Sequence, residues 1–232
     1  MYDIVLVDVG NSNIKTLYIK DGVEKTATLS STNFIKRKCK LPNAKRVIVS
    51  SVVPAISALL KTSNKNVALL GNADIPIQNV DKNIGIDRIL ALYAAGKLYK
   101  RKSVVVVDFG TAITINCMKV NSFLGGIISP GFNLLARSLK QGTAQLPEIS
   151  KWVAEGNVLK RETNQAISSG ISNILIYGIN ETIKSIKIEI NQPDILVVAT
   201  GGWALQLAVS IPEIKIIKPE LQLEGLRFLA NS

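Results

Sequence analysis

Apolar and polar positions along the chain follow one plan twice. The first copy begins with an apolar run at residues 4–7, and two more strand-like runs follow at 14–19 and 23–29. Short runs of aliphatic and β-branched residues separated by turns predict strands that fold back on one another as hairpins. A second copy of the plan lies at residues 104–107, 113–120 and 123–129. The pattern therefore predicts two sets of three strands.

Helix-like and strand-like segments alternate after each set of strands. Further strands are predicted at residues 46–50, 67–70, 195–199 and 214–217. Helices are predicted after Pro54, over 87–99, from near Phe132, over 163–188, after Gly202 and over 221–230. Hairpins followed by such alternation indicate an α/β protein with mixed sheets flanked by helices. We expect two similar halves, residues 1–102 and 103–232, with an interdomain cleft between them.

The first strand of each half ends in Asp, then Gly, then a small polar residue. Asp8 leads into Gly10, and Asp108 leads into Gly110 and Thr111. Glycine lets a backbone approach a ligand closely, and the N–H groups of such a turn can donate to phosphate oxygens. Carboxylate oxygens suit hard metal ions. One such turn is more often a simple end of a strand, but two equivalent copies favour phosphate binding.

The composition excludes several kinds of chemistry. The chain contains no histidine, so a general base must be Asp, Glu, Lys, Tyr or Cys, and a carboxylate is the natural candidate. Its two cysteines, Cys39 and Cys117, indicate neither a disulfide framework nor a zinc site. The P-loop and dinucleotide-binding glycine motifs are absent from the sequence.

The net charge of +11 raises the question of a nucleic-acid partner. The lysines are scattered and aromatic residues make up only 5% of the chain, so a solvated Lys-rich surface is the better interpretation. No apolar run approaches the roughly 20 residues that cross a bilayer. The first residues enter a strand pattern directly, without a secretory signal, so we expect a cytoplasmic protein.

Seven short motifs resemble those of type III pantothenate kinases, in the same order and along nearly the whole chain. They are residues 8–13 (DVGNSN), 50–54 (SSVVP), 85–88 (GIDR), 108–114 (DFGTAIT), 125–131 (GGIISPG), 143–147 (TAQLP) and 224–226 (EGL). These kinases are part of the actin, Hsp70 and sugar-kinase superfamily, so the resemblance implies two halves of ribonuclease-H-like type. It also implies that ATP phosphorylates the primary hydroxyl of pantothenate to give 4′-phosphopantothenate, the first step of coenzyme A synthesis.

The resemblance implies a role for each matching residue. Asp87 would be the general base, and Gly85, Ile86, Asp87 and Arg88 would bind pantothenate, with Arg88 on its carboxylate. The ATP-binding residues would be Asp8, Val9, Gly10, Asn11, Ser12, Asn13, Ile14, Lys15 and Thr111. Asp108 would help to hold a monovalent cation, K⁺ or NH₄⁺, in addition to the Mg²⁺ that accompanies ATP. Thr163 would reach the pantothenate site of the second subunit in a homodimer.

Other interpretations of these residues stay open. Asp87 also suits the start of a helix, and Thr163 suits a helix N-cap. Gln78 and Asp81 stand where the family usually carries Tyr and Pro. Because a fold does not fix a substrate, alternatives are a phosphatase such as an exopolyphosphatase, a kinase of another small alcohol, or a nucleic-acid-binding regulatory protein.

Overall fold

The computed structural model describes residues 1–37, 39–63, 66–149 and 157–231. The chain forms two compact units. The first comprises Met1–Ser103, Cys117–Gly125 and Glu220–Ser232, and the second comprises Val104–Asn116 and Gly126–Pro219. The halves predicted at 1–102 and 103–232, and the cleft between them, remain predictions.

Among the described residues the first sheet has five strands, and the middle of its central strand is completely buried. The strands are β1 Tyr2–Val9, β2 Asn13–Lys20, β3 Val23–Ser30, β4 Ala44–Ser51 and β5 Val67–Leu69. Their order is β3-β2-β1-β4-β5, with β1 antiparallel to β2 and parallel to β4. Val5, Leu6 and Val7 are completely buried. This continuous apolar run is typical of a strand that is covered on both faces.

In the described part of the first unit there are four helices. They are α1 Ser31–Lys36, α2 Pro54–Ser63, α3 Ile86–Leu98 and α7 Leu221–Ala230, and a 3-10 turn lies at Asn72–Asp74. Helix α7 packs closely on α3 at Gly225, where an added Cβ would lie 2.7 Å from Leu90 Cδ1. Tyr93 and Phe228 meet edge to face across the same contact, with ring centroids 6.4 Å apart. The C-terminal helix thus completes the core that the N-terminal residues begin.

The second sheet repeats the topology of the first. Its strands are β6 Val104–Phe109, β7 Ala112–Lys119, β8 Ser122–Pro130, β9 Leu196–Thr200 and β10 Ile216–Ile217. Read from the other edge, the order β10-β9-β6-β7-β8 is the order of the first sheet with each strand replaced by its counterpart. As β4 is parallel to β1, β9 is parallel to β6. The predicted α/β class and the predicted duplication are both confirmed.

The helices of the second unit differ greatly in length. They are α4 Phe132–Gly142, α5 Thr163–Glu189 and the short α6 Ala204–Leu207, which continues into a 3-10 turn at Ala208–Ser210. Each predicted helix and strand has a counterpart in the structure, whereas α1 was not predicted. Within the described residues, no helix has both the length and the apolar character needed to cross a membrane.

Candidate active site

The first corner, which joins β1 to β2, places three polar side chains in a row across adjacent strands. Asp8 is paired with Lys15 on β2 and with Ser50 on β4. Directly paired residues share one face of a sheet, so these side chains are neighbours. The completely buried Ser50 hydroxyl donates to Asp8 Oδ1 at 3.2 Å. This hydrogen bond orients the carboxylate at the end of its strand.

The loop of the first corner is anchored at both ends and exposed in the middle. Val9 and Ile14 are buried in the core, whereas the side chains of Asn11, Ser12 and Asn13 are exposed. Gly10 N donates to Asn13 O at 2.9 Å, which closes the turn. Because the ends of this exposed turn are fixed, its polar groups lose little conformational entropy when a ligand binds.

Helix α1 holds this loop from its other side. Ser31, its first residue, donates from Oγ to Gly10 O at 2.7 Å and from its backbone N to Ser12 O at 2.9 Å. The hydroxyl of Ser30 caps the helix by accepting from Asn33 N at 3.1 Å. The helix that the sequence did not predict therefore fixes the predicted phosphate loop.

The second corner, which joins β6 to β7, has the same plan. Asp108 is paired with the buried Thr200 on β9, as Asp8 is paired with Ser50. Thr111 is exposed at the turn, and its carbonyl oxygen accepts from Gly131 N at 3.0 Å. In both units, therefore, the penultimate residue of a strand is an aspartate beside a hydroxyl residue on the neighbouring parallel strand.

Two glycines pack tightly around the second corner. A Cβ on Gly131 would lie 2.5 Å from Gly110 O and 2.6 Å from Thr111 O. Gly201 has a φ of +95°, and a Cβ there would collide with Asp108 Oδ1 and with the Phe109 backbone. Only glycine fits either position without movement of the corner. Gly202, in contrast, is exposed and has open space around it.

The Gly-x-Asp-Arg motif forms the N-terminus of α3. Gly85 is the N-cap and Asp87 lies in the first turn, where the helix dipole favours a negative charge. Arg88 N donates to Asp87 Oδ1 at 2.9 Å. A Cβ at Gly85 would lie 2.6 Å from the same oxygen, so the glycine leaves room for the carboxylate. Ile86 is buried and anchors the turn in the core.

Burial perturbs both charged residues of this turn. The pKa of Asp87 is raised by burial, which the hydrogen bond from Arg88 N and the positive charge of Arg88 only partly oppose. The pKa of Arg88 is lowered, again chiefly by burial, with the charge of Asp87 acting in the other direction. The Arg88 guanidinium also lies over the ring of Phe123, with 5.8 Å between Cζ and the ring centroid. A desolvated carboxylate beside an arginine is typical of a functional site.

Thr163 lies at the start of the long helix α5. The N-cap of that helix is Glu162, and Thr163 is the first helical residue, so the interpretation of Thr163 as the N-cap is wrong. Thr163 is exposed, as are Ala166 and Gly170 further along the helix. Its side chain is therefore accessible in the single chain.

Comparison with known proteins identifies the family. Residues 4–185 match the model of the type III pantothenate kinase family. A type III pantothenate kinase of Thermosipho africanus is 32% identical, and the match covers 97% of each chain. The chain belongs to the type III pantothenate kinase family.

Two solved structures place the family in its wider fold. A Campylobacter jejuni structure described as a Baf family transcriptional activator is 25% identical and superimposes with a TM-score of 0.66, covering 98% of this chain and 97% of the other. An archaeal actin homolog is 12% identical, with a TM-score of 0.55 and 99% or more of each chain covered. At that identity the actin homolog shows the fold alone, which is that of the actin and sugar-kinase ATPases.

In this family member, the structure groups the predicted site residues in three places. Asp8 and Lys15 meet at the first corner, Asp87 and Arg88 meet at the start of α3, and Asp108 and Thr111 form the second corner. Sequence reasoning did not include Ser50, Gly131 or Phe123 among the site residues. Ser50 and Gly131 do lie in the quoted motifs SSVVP and GGIISPG, so a signal for them was present.

The donor groups at Asp108 suit a cation that prefers oxygen. Within the described residues, no group of three or more Asp, Glu, Cys or His side chains converges to hold a metal ion. The carbonyl oxygens of Gly110 and Thr111 border the same corner, where Gly131 packs on them. A carboxylate and backbone carbonyls at one corner are oxygen ligands of the kind that hard cations prefer.

Proposed function

We propose that this chain transfers the γ-phosphoryl group of ATP to the primary hydroxyl of pantothenate, which gives 4′-phosphopantothenate and begins coenzyme A synthesis. The observation that carries the proposal is the Gly-x-Asp-Arg turn, in which Asp87 is desolvated and lies beside Arg88. Membership of the type III pantothenate kinase family supports the choice of substrate.

Asp87 is proposed as the general base. The hydroxyl oxygen attacks the γ-phosphorus, its proton passes to an Asp87 carboxylate oxygen, and the bond from that phosphorus to the bridging oxygen breaks to release ADP. Phosphoryl transfer has a loose transition state, so the base need accept the proton only late. A pKa raised by burial makes Asp87 a stronger base than an exposed aspartate would be.

The remaining residues of the turn are proposed to bind pantothenate. Arg88 faces the substrate carboxylate, because a guanidinium can grip a carboxylate with two parallel hydrogen bonds. Gly85 leaves the space in which the Asp87 carboxylate lies, and the buried Ile86 keeps the turn in place. In this proposal Arg88 binds the carboxylate at one end of pantothenate, and Asp87 contacts the primary hydroxyl at the other end.

The two corners are proposed to bind the phosphates of ATP. The loop of residues 8–15 supplies backbone N–H groups and the charge of Lys15, and Thr111 supplies a hydroxyl. Mg²⁺ that arrives with ATP would neutralise charge on the phosphate oxygens. Asp108 is proposed to hold K⁺ or NH₄⁺ with the neighbouring carbonyl oxygens.

A homodimer is proposed from one face of α5. Thr163, Ala166, Gly170, Ile174 and Tyr177 follow one another at spacings of three and four residues, so they share a face of the helix. The two large residues, Ile174 and Tyr177, are 72% and 64% exposed in the single chain. An apolar stripe of this kind marks a contact surface, and we infer that a second copy covers it. Thr163, at the end of the stripe, would then reach the partner's pantothenate site.

One observation favours a second candidate function. The Campylobacter jejuni structure is described as a transcriptional activator, and the net charge of +11 on this chain would suit DNA. The acidic and basic residues of the Gly-x-Asp-Arg turn are nevertheless both present and desolvated, which DNA binding does not require.

The deciding experiment measures ADP release by the purified chain with Mg²⁺-ATP and K⁺, with and without pantothenate. ADP release that depends on pantothenate supports the kinase. ATP consumption that ignores pantothenate would identify a hydrolase, and salt-sensitive DNA binding without phosphotransfer would identify the regulatory protein. Omission of K⁺ in a parallel series tests the monovalent cation.

A further inference from the structure

The contact between Arg88 and Phe123 joins two segments that are distant in the sequence. Phe123 lies at the start of β8, in the hairpin segment that belongs to the first unit. Both side chains are half-buried, and burial lowers the pKa of Arg88. A guanidinium over an aromatic ring is attracted by the negative face of the ring, and more strongly where water is excluded. The Arg88 guanidinium and the Phe123 ring meet in such a partly desolvated contact.

The position of Phe123 is fixed by its backbone and its neighbours. Phe123 N donates to Gln78 O at 2.9 Å, and Gln78 N donates to Asn121 O at 2.9 Å. Asn79 Nδ2 donates to Ser122 Oγ at 2.7 Å. These bonds tie β8 to the loop that leads into the Gly-x-Asp-Arg turn. The ring is therefore held beside Arg88 independently of the Arg88 side chain.

The same loop is also tied to the start of α3. Asn72 Nδ2 donates to Ile84 O at 2.8 Å and to Asp81 O at 3.2 Å. Of the two acceptors, Ile84 lies immediately before Gly85 and Asp81 lies four residues before it. The same hydrogen-bonded loop therefore holds the backbone of both Phe123 and Arg88. The distance between the two residues is fixed by these hydrogen bonds.

An arginine that binds a ligand carboxylate normally loses side-chain entropy on binding. If a ring already restricts the guanidinium in the folded protein, the entropy is lost during folding and no longer opposes binding. The ligand then binds more tightly. We propose that Phe123 is a positioning residue that holds Arg88 ready for the carboxylate of the acceptor, and that it thereby gives an anionic acceptor its advantage over a neutral one. The inference rests on the proposed function, in which Arg88 binds that carboxylate.

The test compares pantothenate with pantothenol, a neutral analogue that carries a hydroxymethyl group in place of the carboxylate. Phe123→Leu keeps an apolar side chain of similar volume and removes the ring. We expect the KM for pantothenate to rise about 3- to 30-fold, because Arg88 would then lose its side-chain entropy on binding. The KM for pantothenol, the KM for ATP and kcat should stay within about twofold, because none of these depends on the substrate carboxylate.

Two further variants separate positioning from structure. Phe123→Tyr retains the ring and should keep the parent KM for pantothenate, whereas Leu124→Ala alters an exposed neighbour and should change nothing. Equal losses with both substrates, or an unchanged KM for pantothenate in Phe123→Leu, would overturn the inference.

The result also distinguishes this inference from the proposed function. If Arg88→Gln removes the preference for pantothenate and Phe123→Leu does not, the kinase stands and only the role of Phe123 is wrong. If the parent chain phosphorylates neither acceptor, the proposed function fails, and the inference fails with it.

Discussion

The Ser50 hydroxyl donates to Asp8 Oδ1 at 3.2 Å, from one parallel strand to the next. Asp108 and Thr200 occupy the equivalent places in the second unit. In each unit the aspartate is the penultimate residue of the central strand, and the hydroxyl residue beside it is completely buried. The duplication thus extends from the strand order to individual side chains at the proposed phosphate corners.

Removal of the Ser50 hydroxyl should weaken ATP binding. In Ser50→Ala, Asp8 loses a donor that orients its carboxylate, and a hydrogen bond to a charged group contributes about 1.5–3 kcal/mol. We expect the Kd for ATP, measured by calorimetry, to rise about 10- to 150-fold. Ser57→Ala serves as the control, because Ser57 bonds to Ser51 and Val53 and not to Asp8. Equal ATP affinity in all three proteins would contradict the role of this hydrogen bond.

Gly201 should tolerate no side chain. Its φ of +95° disfavours other residues by about 1–2 kcal/mol, and a Cβ would overlap Asp108 and Phe109. Overpacking adds about 1–3 kcal/mol, so we expect Gly201→Ala to lower the free energy of unfolding by about 2–5 kcal/mol in urea titrations. Gly202→Ala, one residue later in open space, should change it by less than about 0.5 kcal/mol. Similar effects at both positions would show that the packing around Asp108 is not tight.

The rate should report the raised pKa of Asp87. The base must be ionised, so kcat falls as the pH drops through the pKa of Asp87, and burial places this fall at a higher pH than for an exposed aspartate. The measurement is kcat at saturating pantothenate, which reports the pKa of Asp87 in the substrate complex, whereas kcat/KM would also report the titration of the free substrate carboxylate. A profile that stays flat down to the usual range of an aspartate would contradict the desolvated base.

Subunit mixing tests whether Thr163 acts across a dimer interface. Asp87→Asn and Thr163→Ala chains should each be poorly active alone. In a mixed dimer, the site that retains Asp87 receives an intact Thr163 from the other subunit, so activity should return to about a quarter of the parent when the chains are mixed equally. Ile174→Glu, within the exposed stripe, should abolish this recovery by separating the subunits, whereas Val23→Glu, 71% exposed on β3, should not. If the mixture is only as active as the sum of the two separate variants, the site is not shared between subunits.

Local pattern was sufficient to predict most elements. The strand at Val104–Phe109 is predicted by its valine run, because buried strands consist of continuous apolar residues. The turn after each first strand is predicted by its Asp-x-Gly sequence. Helix α1 escaped prediction because it is six residues long and lacks an apolar period, although its Ser30 cap was a readable signal.

Contacts between distant segments could not be predicted in the same way. The ring of Phe123 over Arg88 and the packing of Gly225 on Leu90 depend on which elements become neighbours. Nothing in the sequence around Phe123 separates it from an ordinary strand residue. The desolvation of Asp87 likewise depends on the surrounding fold and cannot be predicted from the sequence of residues 85–88 alone.

Asp87→Asn should retain its fold, which makes it a clean test of the base. Because burial raises the pKa of Asp87, the folded state binds the proton more tightly than the unfolded state does, and the ionised group destabilises the fold at neutral pH. Asparagine removes that penalty while its oxygen can still accept from Arg88 N. We expect the free energy of unfolding at neutral pH to be equal to or higher than that of the parent, with the advantage disappearing below the unfolded pKa.

The most direct measurement is the transfer of radiolabelled phosphate from ATP to pantothenate by the parent chain and by Asp87→Asn, at matched ATP occupancy. The parent should form labelled 4′-phosphopantothenate, and Asp87→Asn should bind ATP normally and transfer phosphate about 10²- to 10⁴-fold more slowly. A parent that forms no labelled product, or an Asp87→Asn chain that forms it at the parent rate, would contradict the account.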